Sequence, residues 1–190
     1  AILALAIIFA FNSMAMTIVE NGENKAVIVI NDSAFSVTNA YVPYRGDVRT
    51  AEQRIKFAAE EIQRYIFKIS GAKLEIVSDK TDIKGPKILV GKSRYTQNIK
   101  DIPSGLTPER NEEGFLIESK KDTIALVGND EGPYFGTYYA VVEFLNQLGV
   151  RWFMPGELGE VVPQKKTIDY PEGKLVERPS FRVRMWWCNE

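Results

Sequence analysis

The feature that most constrains the fold is the segment from Thr50 to Gly71, which has the signals of a long amphipathic helix. Thr50 and Gln53 form a capping-box pair that starts a helix, and Gly71 is a typical residue to end one. Apolar residues recur between them at helical spacing and predict one buried stripe: Ile55, Ala58, Ala59, Ile62, Tyr65, Ile66 and Ile69. The opposite side is polar, so we expect this helix to pack its stripe on another layer of structure.

Short β-rich runs on both sides of this helix predict that the layer is a sheet. One hairpin is expected from the runs 25–30 and 34–38, which Asn31-Asp32-Ser33 separates, and a second from 114–119 and 123–128. Further strands are expected at 73–78 and 87–91.

A second helix is predicted after Asn129-Asp130, with Pro133 in its first turn and Gly149 at its end. Its expected apolar face consists of Phe135, Tyr138, Tyr139, Val142, Leu145 and Leu148. We therefore predict an α+β domain with a mixed sheet of about five to six strands and two amphipathic helices on one sheet face.

Composition excludes some classes of partner and suggests a compartment. A net charge of −1, with basic residues scattered among acidic ones, gives no reason to expect nucleic acid or an anionic membrane surface as partner. Residues 1–10 are apolar and uncharged, and Ser13 and Ala15 form a small-x-small site. We interpret residues 1–15 as a partial signal peptide cleaved after Ala15; the alternative is a buried N-terminal strand or helix. We expect a secreted, periplasmic or cell-surface protein without a membrane anchor after cleavage.

Candidate catalytic groups within the chain are few. There is no histidine and one cysteine, Cys188, so a zinc site or an activated thiol is not expected, and we predict neither metal nor cofactor. The glycine-rich segment 128–136 departs from nucleotide-binding spacing, and we interpret it as a turn leading into the second helix. Lys92-Ser93 resembles the end of a phosphate-binding loop, but a strand stands where the loop should be. The pairs Glu112/Glu113 and Glu157/Glu160 are the nearest approach to paired catalytic carboxylates, and we do not expect them to be catalytic.

The segment 132–163, with Leu148-Gly-Val-Arg-Trp-Phe-Met-Pro-Gly156 at its centre, resembles the end of the N-terminal domain of β-hexosaminidase-like and α-glucuronidase-like glycoside hydrolases. The segments 58–65 and 87–91 contribute to the resemblance. In such enzymes this domain precedes a catalytic (β/α)8 barrel, and a segment like Glu177-Arg-Pro-Ser-Phe181 leads into it. The resemblance implies an α+β domain over 16–175 and the truncated first strand of the barrel over 176–190, because a barrel of about 250 residues does not fit in the chain.

The resemblance also implies candidate substrate-binding residues. Arg184 corresponds to an arginine that hydrogen-bonds the terminal sugar in hexosaminidase-like enzymes, although Val183 stands where those enzymes have tryptophan. Trp186 and Trp187 are weaker candidates for stacking on a sugar. Trp152 and Phe153 are expected to pack between this domain and its own barrel.

The sequence therefore predicts the non-catalytic N-terminal domain of an exported glycoside hydrolase that acts on terminal glycosidic bonds of polysaccharides or glycans. Its expected partners are its own C-terminal barrel and a carbohydrate substrate. The alternative is a stand-alone carbohydrate-binding or structural module, and a nucleotide-binding α/β domain is a more distant possibility.

Overall fold

The structure, a computed structural model, describes residues 15–38, 50–105 and 113–180. The elements in these ranges are β1 (Ala15–Glu20), β2 (Glu23–Asn24), β3 (Val27–Ile30), α1 (Asp32–Ser36), α2 (Ala51–Ser70), β4 (Ile76–Ser78), β5 (Lys87–Val90), β6 (Phe115–Lys120), β7 (Thr123–Gly128), α3 (Gly136–Gln147), β8 (Arg151–Trp152), a 3₁₀ turn (Glu157–Gly159), β9 (Glu160–Val161), β10 (Ile168–Pro171) and β11 (Gly173–Glu177).

The central layer is a mixed sheet of six strands in the order β11-β6-β7-β5-β3-β4. β4, β3, β5 and β7 run parallel, whereas β6 and β11 are antiparallel to their neighbours. α2 and α3 pack against each other and bury their inner sides on one face of this sheet, where alternate strand residues such as Ile28, Ile88 and Leu126 join the same core. The predicted α+β architecture, with two helices on one sheet face, is confirmed.

The other face of the sheet is covered by loops. Val29, Leu89, Ala125 and Val127 form a second core there, under Tyr95, Ile99 and Ile102 of the segment after β5. The chain therefore leaves β3 towards the helix face and leaves β5 towards the opposite face. Divergence of this kind opens a crevice at the carboxyl ends of two neighbouring parallel strands.

The sequence signals of α2 are confirmed in detail. The Thr50 hydroxyl accepts a hydrogen bond from the Gln53 backbone N–H at 3.3 Å, and the Gln53 side chain accepts from the Thr50 N–H at 3.0 Å. At the other end Gly71 has φ 82° and donates its N–H to the Phe67 carbonyl. All seven predicted stripe residues are buried.

The predicted hairpin at 25–38 is wrong, whereas the one at 114–128 is confirmed. Residues after β3 form α1, because the Asn31 side chain accepts a hydrogen bond from the Ala34 N–H at 2.7 Å and so caps a helix. The run of Asn, Asp and Ser that resembles a turn acts as a helix start. β6 and β7 pair from Phe115 opposite Gly128 to Lys120 opposite Thr123.

α3 differs from its prediction at its start and on its buried side. It begins at Gly136, so Pro133 precedes the helix and does not lie in its first turn. Its buried residues, including the C-cap, are Gly136, Thr137, Ala140, Val141, Phe144, Leu145 and Leu148. The predicted face is correct only at Leu145 and Leu148; Phe135, Tyr138, Tyr139 and Val142 are half-buried. α3 therefore has apolar side chains on two sides.

A small antiparallel sheet, β10-β1-β2, is a feature that the sequence analysis missed. Met16, Ile18 and Val19 of β1 are fully buried. The first residue of β1, Ala15, is the last residue of the segment interpreted as a signal peptide.

Candidate functional site

A cleft runs between α2 and α3 on their outer side. Its volume is about 790 Å³. It is lined by Phe57, Glu61, Arg64, Tyr65, Tyr138, Val141, Val142, Leu145, Trp152, Pro155, Gly156 and Glu160. Phe57 and Tyr138 stack with their ring centroids 5.6 Å apart and join the two helices at this cleft. An aromatic lining with a few charged groups is typical of a surface that recognises another molecule.

A hydrogen-bonded cluster around Tyr65 joins the cleft to the loop after α3. The Trp152 indole N–H donates to the Tyr65 hydroxyl at 2.6 Å, and this hydroxyl donates to Glu160 at 2.8 Å. The Lys68 ammonium group donates to the other Glu160 oxygen at 2.5 Å, and the Arg64 guanidinium lies 4.5 Å from the Tyr65 ring centroid. The indole and phenol rings meet edge to face. The cluster fixes the base of the loop on α2.

The ionisation of the cluster follows from these contacts. Burial raises the pKa of Tyr65 to about 12, so its hydroxyl remains a hydrogen-bond donor at neutral pH. The hydrogen bond from Lys68 lowers the pKa of Glu160, and so does the one from Tyr65. Glu160 is therefore an ionised acceptor with its hydrogen-bonding capacity in use, which is a structural role.

The loop that follows Trp152 presents large apolar side chains to solvent. Phe153 is 75% exposed, Met154 59% and Leu158 98%. The loop is nevertheless closed tightly: the Phe153 N–H donates to the Gly159 carbonyl, and a Cβ on Gly159 would lie 2.0 Å from the Met154 carbonyl oxygen. Because Trp152 and Pro155 of this loop line the cleft, cleft and loop form one surface. We call the cleft together with Phe153, Met154 and Leu158 the outer helix surface.

The last described residues lie beside α3. β11 pairs with β6 at the edge of the main sheet. After it, Arg178 and Pro179 border a hollow of about 250 Å³ that is also lined by Tyr139 and Val142 of α3. Val142 lines the cleft as well. The chain therefore leaves the sheet next to the outer helix surface.

The glycine-rich segment 128–136 is a structural turn, as predicted. A Cβ on Gly128 would lie 2.1 Å from the Gly136 carbonyl carbon, so the close backbone approach requires glycine. The Asp130 carboxylate accepts hydrogen bonds from the Thr137 N–H at 3.0 Å and from the Thr137 hydroxyl at 2.6 Å. Burial raises the pKa of Asp130. An acidic group therefore already occupies the position at this helix start where a phosphate would bind.

Comparison with known proteins identifies the family. The family model for the N-terminus of glycosyl hydrolase family 67 matches residues 30–140, which is more than half of the 190 residues. The chain belongs to this family. A search of curated proteins finds no match to the chain. The matched range of this family 67 domain includes α2, the parallel strands β4, β5 and β7, the last residue of β3 and the first residues of α3.

The three residues predicted to bind substrate have no described position. Arg184, Trp186 and Trp187 lie in 181–190, outside the described residues, as does Cys188. The expected signal peptide is described only at Ala15, its last residue. The sites assigned to this segment thus stay predictions.

The aromatic residues of α3 and of the loop after it, which the sequence analysis named, lie within the described ranges. Tyr138 and Tyr139 are half-buried, and Trp152 is 38% exposed although its indole N–H is bonded. Sequence analysis named Trp152 and Phe153 as interface residues, and both lie on the outer helix surface. It missed Met154 and Leu158. They could have been recognised as two further large apolar residues in the Gly- and Pro-rich segment after Phe153.

Three of the four remaining candidate carboxylates lie in the described ranges: Glu113 just before β6, Glu157 in the 3₁₀ turn and Glu160 in β9. Glu157 is exposed in the 3₁₀ turn, Glu160 is held by Tyr65 and Lys68, and Glu112 lies outside the described residues. Within 15–38, 50–105 and 113–180 no group of three or more acidic, cysteine or histidine side chains has the arrangement of a metal site. In the same ranges no helix has the length and apolar character needed to span a bilayer.

Proposed function

We propose that this domain is the non-catalytic N-terminal domain of an exported glycoside hydrolase and that it supports the catalytic barrel of its parent protein. The observation that carries the proposal is the family 67 match over residues 30–140. A domain of this kind implies a catalytic domain elsewhere in the same protein. We propose that the parent hydrolyses terminal glycosidic bonds of polysaccharides or glycans, and that Arg184, with Trp186 or Trp187, contacts the terminal sugar.

The outer helix surface is the contact region that we assign to the barrel. α3 buries one side in the core and has Tyr138, Tyr139 and Val142 half-buried on its outer side, so its apolar surface is wider than contact with the sheet alone requires. Phe153, Met154 and Leu158 add three large exposed apolar side chains within one short loop, and exposed apolar groups that cluster in this way often mark an interaction surface. The position of Arg178 and Pro179 beside α3 allows the following chain to reach this surface over a short distance.

Export is supported by the residues at the start of the fold. β1 begins at Ala15, and Met16 is fully buried, so cleavage after Ala15 would remove the apolar leader without removing any residue of the described core.

The proposal is tested by extending the coding sequence beyond Glu190, expressing the product and assaying it with a panel of aryl glycosides. A following barrel whose activity falls on Arg184→Ala supports the assignment. A stop codon near Glu190 would refute it and favour the stand-alone module.

The barrel contact is tested in the same full-length protein with the double variant Phe153→Ser/Leu158→Ser. We expect it to lower the thermal stability of the full-length protein but not that of the 190-residue chain, because both side chains are exposed in the chain alone. Phe35→Ser is the matched control: Phe35 is 43% exposed, but its carbonyl contacts Lys56, about 14 Å along α2 from Tyr65. Equal effects of the two substitutions would refute the contact.

A further inference from the structure

The crevice at the carboxyl ends of β3 and β5 is a second concave site, and the outer helix surface does not include it. It has a volume of about 350 Å³. It is lined by Asn31, Thr50, Ala51, Glu52, Arg54, Ile55, Lys92, Asp130, Glu131 and Gly132. Ligands of open α/β sheets bind where the chain leaves neighbouring parallel strands towards opposite faces, and β3 and β5 are such a pair. The volume is in the range of small-molecule sites.

The walls of the crevice are held in place by hydrogen bonds. The Asn31 amide donates to the Lys92 carbonyl at 3.1 Å and joins the ends of β3 and β5. Arg54, which is 4% exposed, donates to the carbonyls of Asp130 at 2.8 Å and Gly132 at 2.6 Å. Gly91 has φ 75°, and a Cβ there would lie 2.9 Å from Ile55, so β5 ends tightly against α2. The site is therefore preformed.

The electrostatics of the crevice disfavour an anionic ligand. At the start of α2 the Glu52 carboxylate accepts a hydrogen bond from its own N–H and one from the Thr50 hydroxyl, which lowers the pKa of Glu52. At the start of α3 the Asp130 carboxylate takes the corresponding role. The N-termini of α2 and α3 are thus both capped by carboxylates of the protein itself, and Glu131 on the rim of the crevice adds a further negative charge. A phosphate would meet repulsion at each of these positions.

The remaining lining suits a neutral polyhydroxy ligand. Ala51 and Ile55 contribute apolar atoms, whereas Lys92, Glu52 and Glu131 contribute donors and acceptors at the rim. The ion pair between Lys92 and Glu131 is long, at 3.7 Å, and both side chains are more than half exposed. Such a pair is worth little, so its groups can exchange it for hydroxyl groups at small cost. A pyranose, which has an apolar C–H face and an edge of hydroxyl groups, matches this division.

We propose that the crevice at the ends of β3 and β5 binds a neutral sugar unit, as a non-catalytic carbohydrate site separate from the barrel contact. The site needs neither a catalytic domain nor the outer helix surface. The proposal can therefore fail or succeed independently of the function proposed above.

The test is an NMR titration of the 190-residue chain with methyl β-xyloside, methyl β-glucoside and methyl α-mannoside, and with glucuronate and ADP as anionic counterparts. We expect at least one neutral glycoside to shift the backbone amides of Asn31, Lys92 and Glu131, with a Kd on the order of 1 mM. Lys92→Met and Glu131→Gln should each weaken this binding about tenfold, which is 1.4 kcal/mol. Lys121→Met, in the β6–β7 turn at the other end of the sheet, should leave it unchanged.

Three results would overturn the proposal. The first is that no neutral glycoside shifts these amides. The second is tighter binding of ADP or glucuronate, which would make the crevice an anion site. The third is binding that both crevice variants leave unchanged, which would place the sugar elsewhere. Because Lys92 and Glu131 are exposed, the variants should fold, and their amide spectra check this directly.

Discussion

The two long helices, α2 and α3, pack on the same face of the main sheet. They differ in how completely the domain buries their apolar side chains and caps their ends. α2 buries one apolar stripe, carries mostly polar residues on its other side, and has its own capping box and glycine stop. α3 has no side-chain cap from its N-cap residue, Phe135, and depends on Asp130 for this purpose. It buries Phe144 on its inner side and still has Tyr139 half-buried on its outer side.

This difference indicates which helix the proposed contact with a further domain would cover. A helix with one apolar stripe needs only the sheet beneath it, as α2 does. A helix with two apolar sides leaves one of them in water unless another molecule or domain covers it. The outer helix surface lies on that second side, and the chain after β11 passes beside it.

The largest expected effect distinguishes the two sides of α3. Phe144 is fully buried, with its ring centroid 5.0 Å from that of Tyr170, so Phe144→Ala should lower the free energy of unfolding by about 3–5 kcal/mol. Tyr139→Ala removes a side chain of similar size from the outer side and should have less than half of that effect in the 190-residue chain. Urea unfolding measures both. Equal losses would mean that the outer side is already part of the core.

A smaller effect is expected from the turn that leads into α3. A Cβ on Gly136 would lie 2.3 Å from the Asn129 backbone nitrogen, so Gly136→Ala should cost about 1–3 kcal/mol of unfolding free energy. Gly173→Ala is the control, because nothing lies within 4 Å of a Cβ at Gly173. The same unfolding assay applies. A neutral Gly136→Ala would contradict the close packing of β7 against the start of α3.

The start of α2 should be less sensitive. Thr50→Ala removes the hydroxyl that accepts from the Gln53 N–H and should cost about 1 kcal/mol. Thr50→Ser retains a hydroxyl and should recover most of the loss. If Thr50→Ala and Thr50→Ser unfold alike, the capping box contributes nothing measurable to α2.

The smallest effect is a pH dependence of opposite sign at Glu160 and Asp130. The pKa of Glu160 is lowered from 4.5, so its contribution to stability is present above that value and is lost as the pH falls through the lowered one. Glu160→Gln should be less stable than the native chain at pH 7, and the difference should shrink on acidification.

The pKa of Asp130 is raised from 3.8, so its contribution is fully present below that value and is lost as the pH rises through the raised one. The stability of the native chain relative to Asp130→Asn should therefore increase as the pH falls. Unfolding curves at several pH values measure both; parallel curves for either variant would contradict the assigned contacts.

The same comparison explains what the sequence could predict. α2 was predicted with its caps and stripe because its periodic pattern has a single apolar side. The buried side of α3 was largely wrong, because Tyr138, Tyr139 and Val142 also have large apolar parts, and periodicity cannot choose between two sides that both carry apolar groups. The cap of α3 is the Asp130 carboxylate, which reaches across the turn to the Thr137 N–H, seven positions along the chain, and this is not the spacing of an N-cap residue. The run Asn31-Asp32-Ser33 suits a turn and a helix start equally, so only the tertiary pairing of β3 with β4 and β5 decides between them.

The candidate site was predictable in part for the same reason. Trp152 and Phe153 were conspicuous as adjacent aromatic residues, but the cleft between α2 and α3 depends on helix packing that the sequence does not reveal. The crevice depends on β3 and β5 being neighbours in the sheet. Their paired residues Val29 and Leu89 are 60 positions apart in the chain, and no local sequence pattern encodes such a pairing.

The most direct test of the central claim is hydrogen–deuterium exchange of the 190-residue chain compared with the full-length parent protein. If the outer helix surface packs on the catalytic domain, the backbone amides of Phe153, Met154 and Leu158, in the outer loop that follows Trp152, should exchange more slowly in the full-length protein. Amides of the turn at Lys121 and Asp122, at the amino end of β7, should be unchanged. Equal exchange of the outer loop in the two proteins would contradict the account.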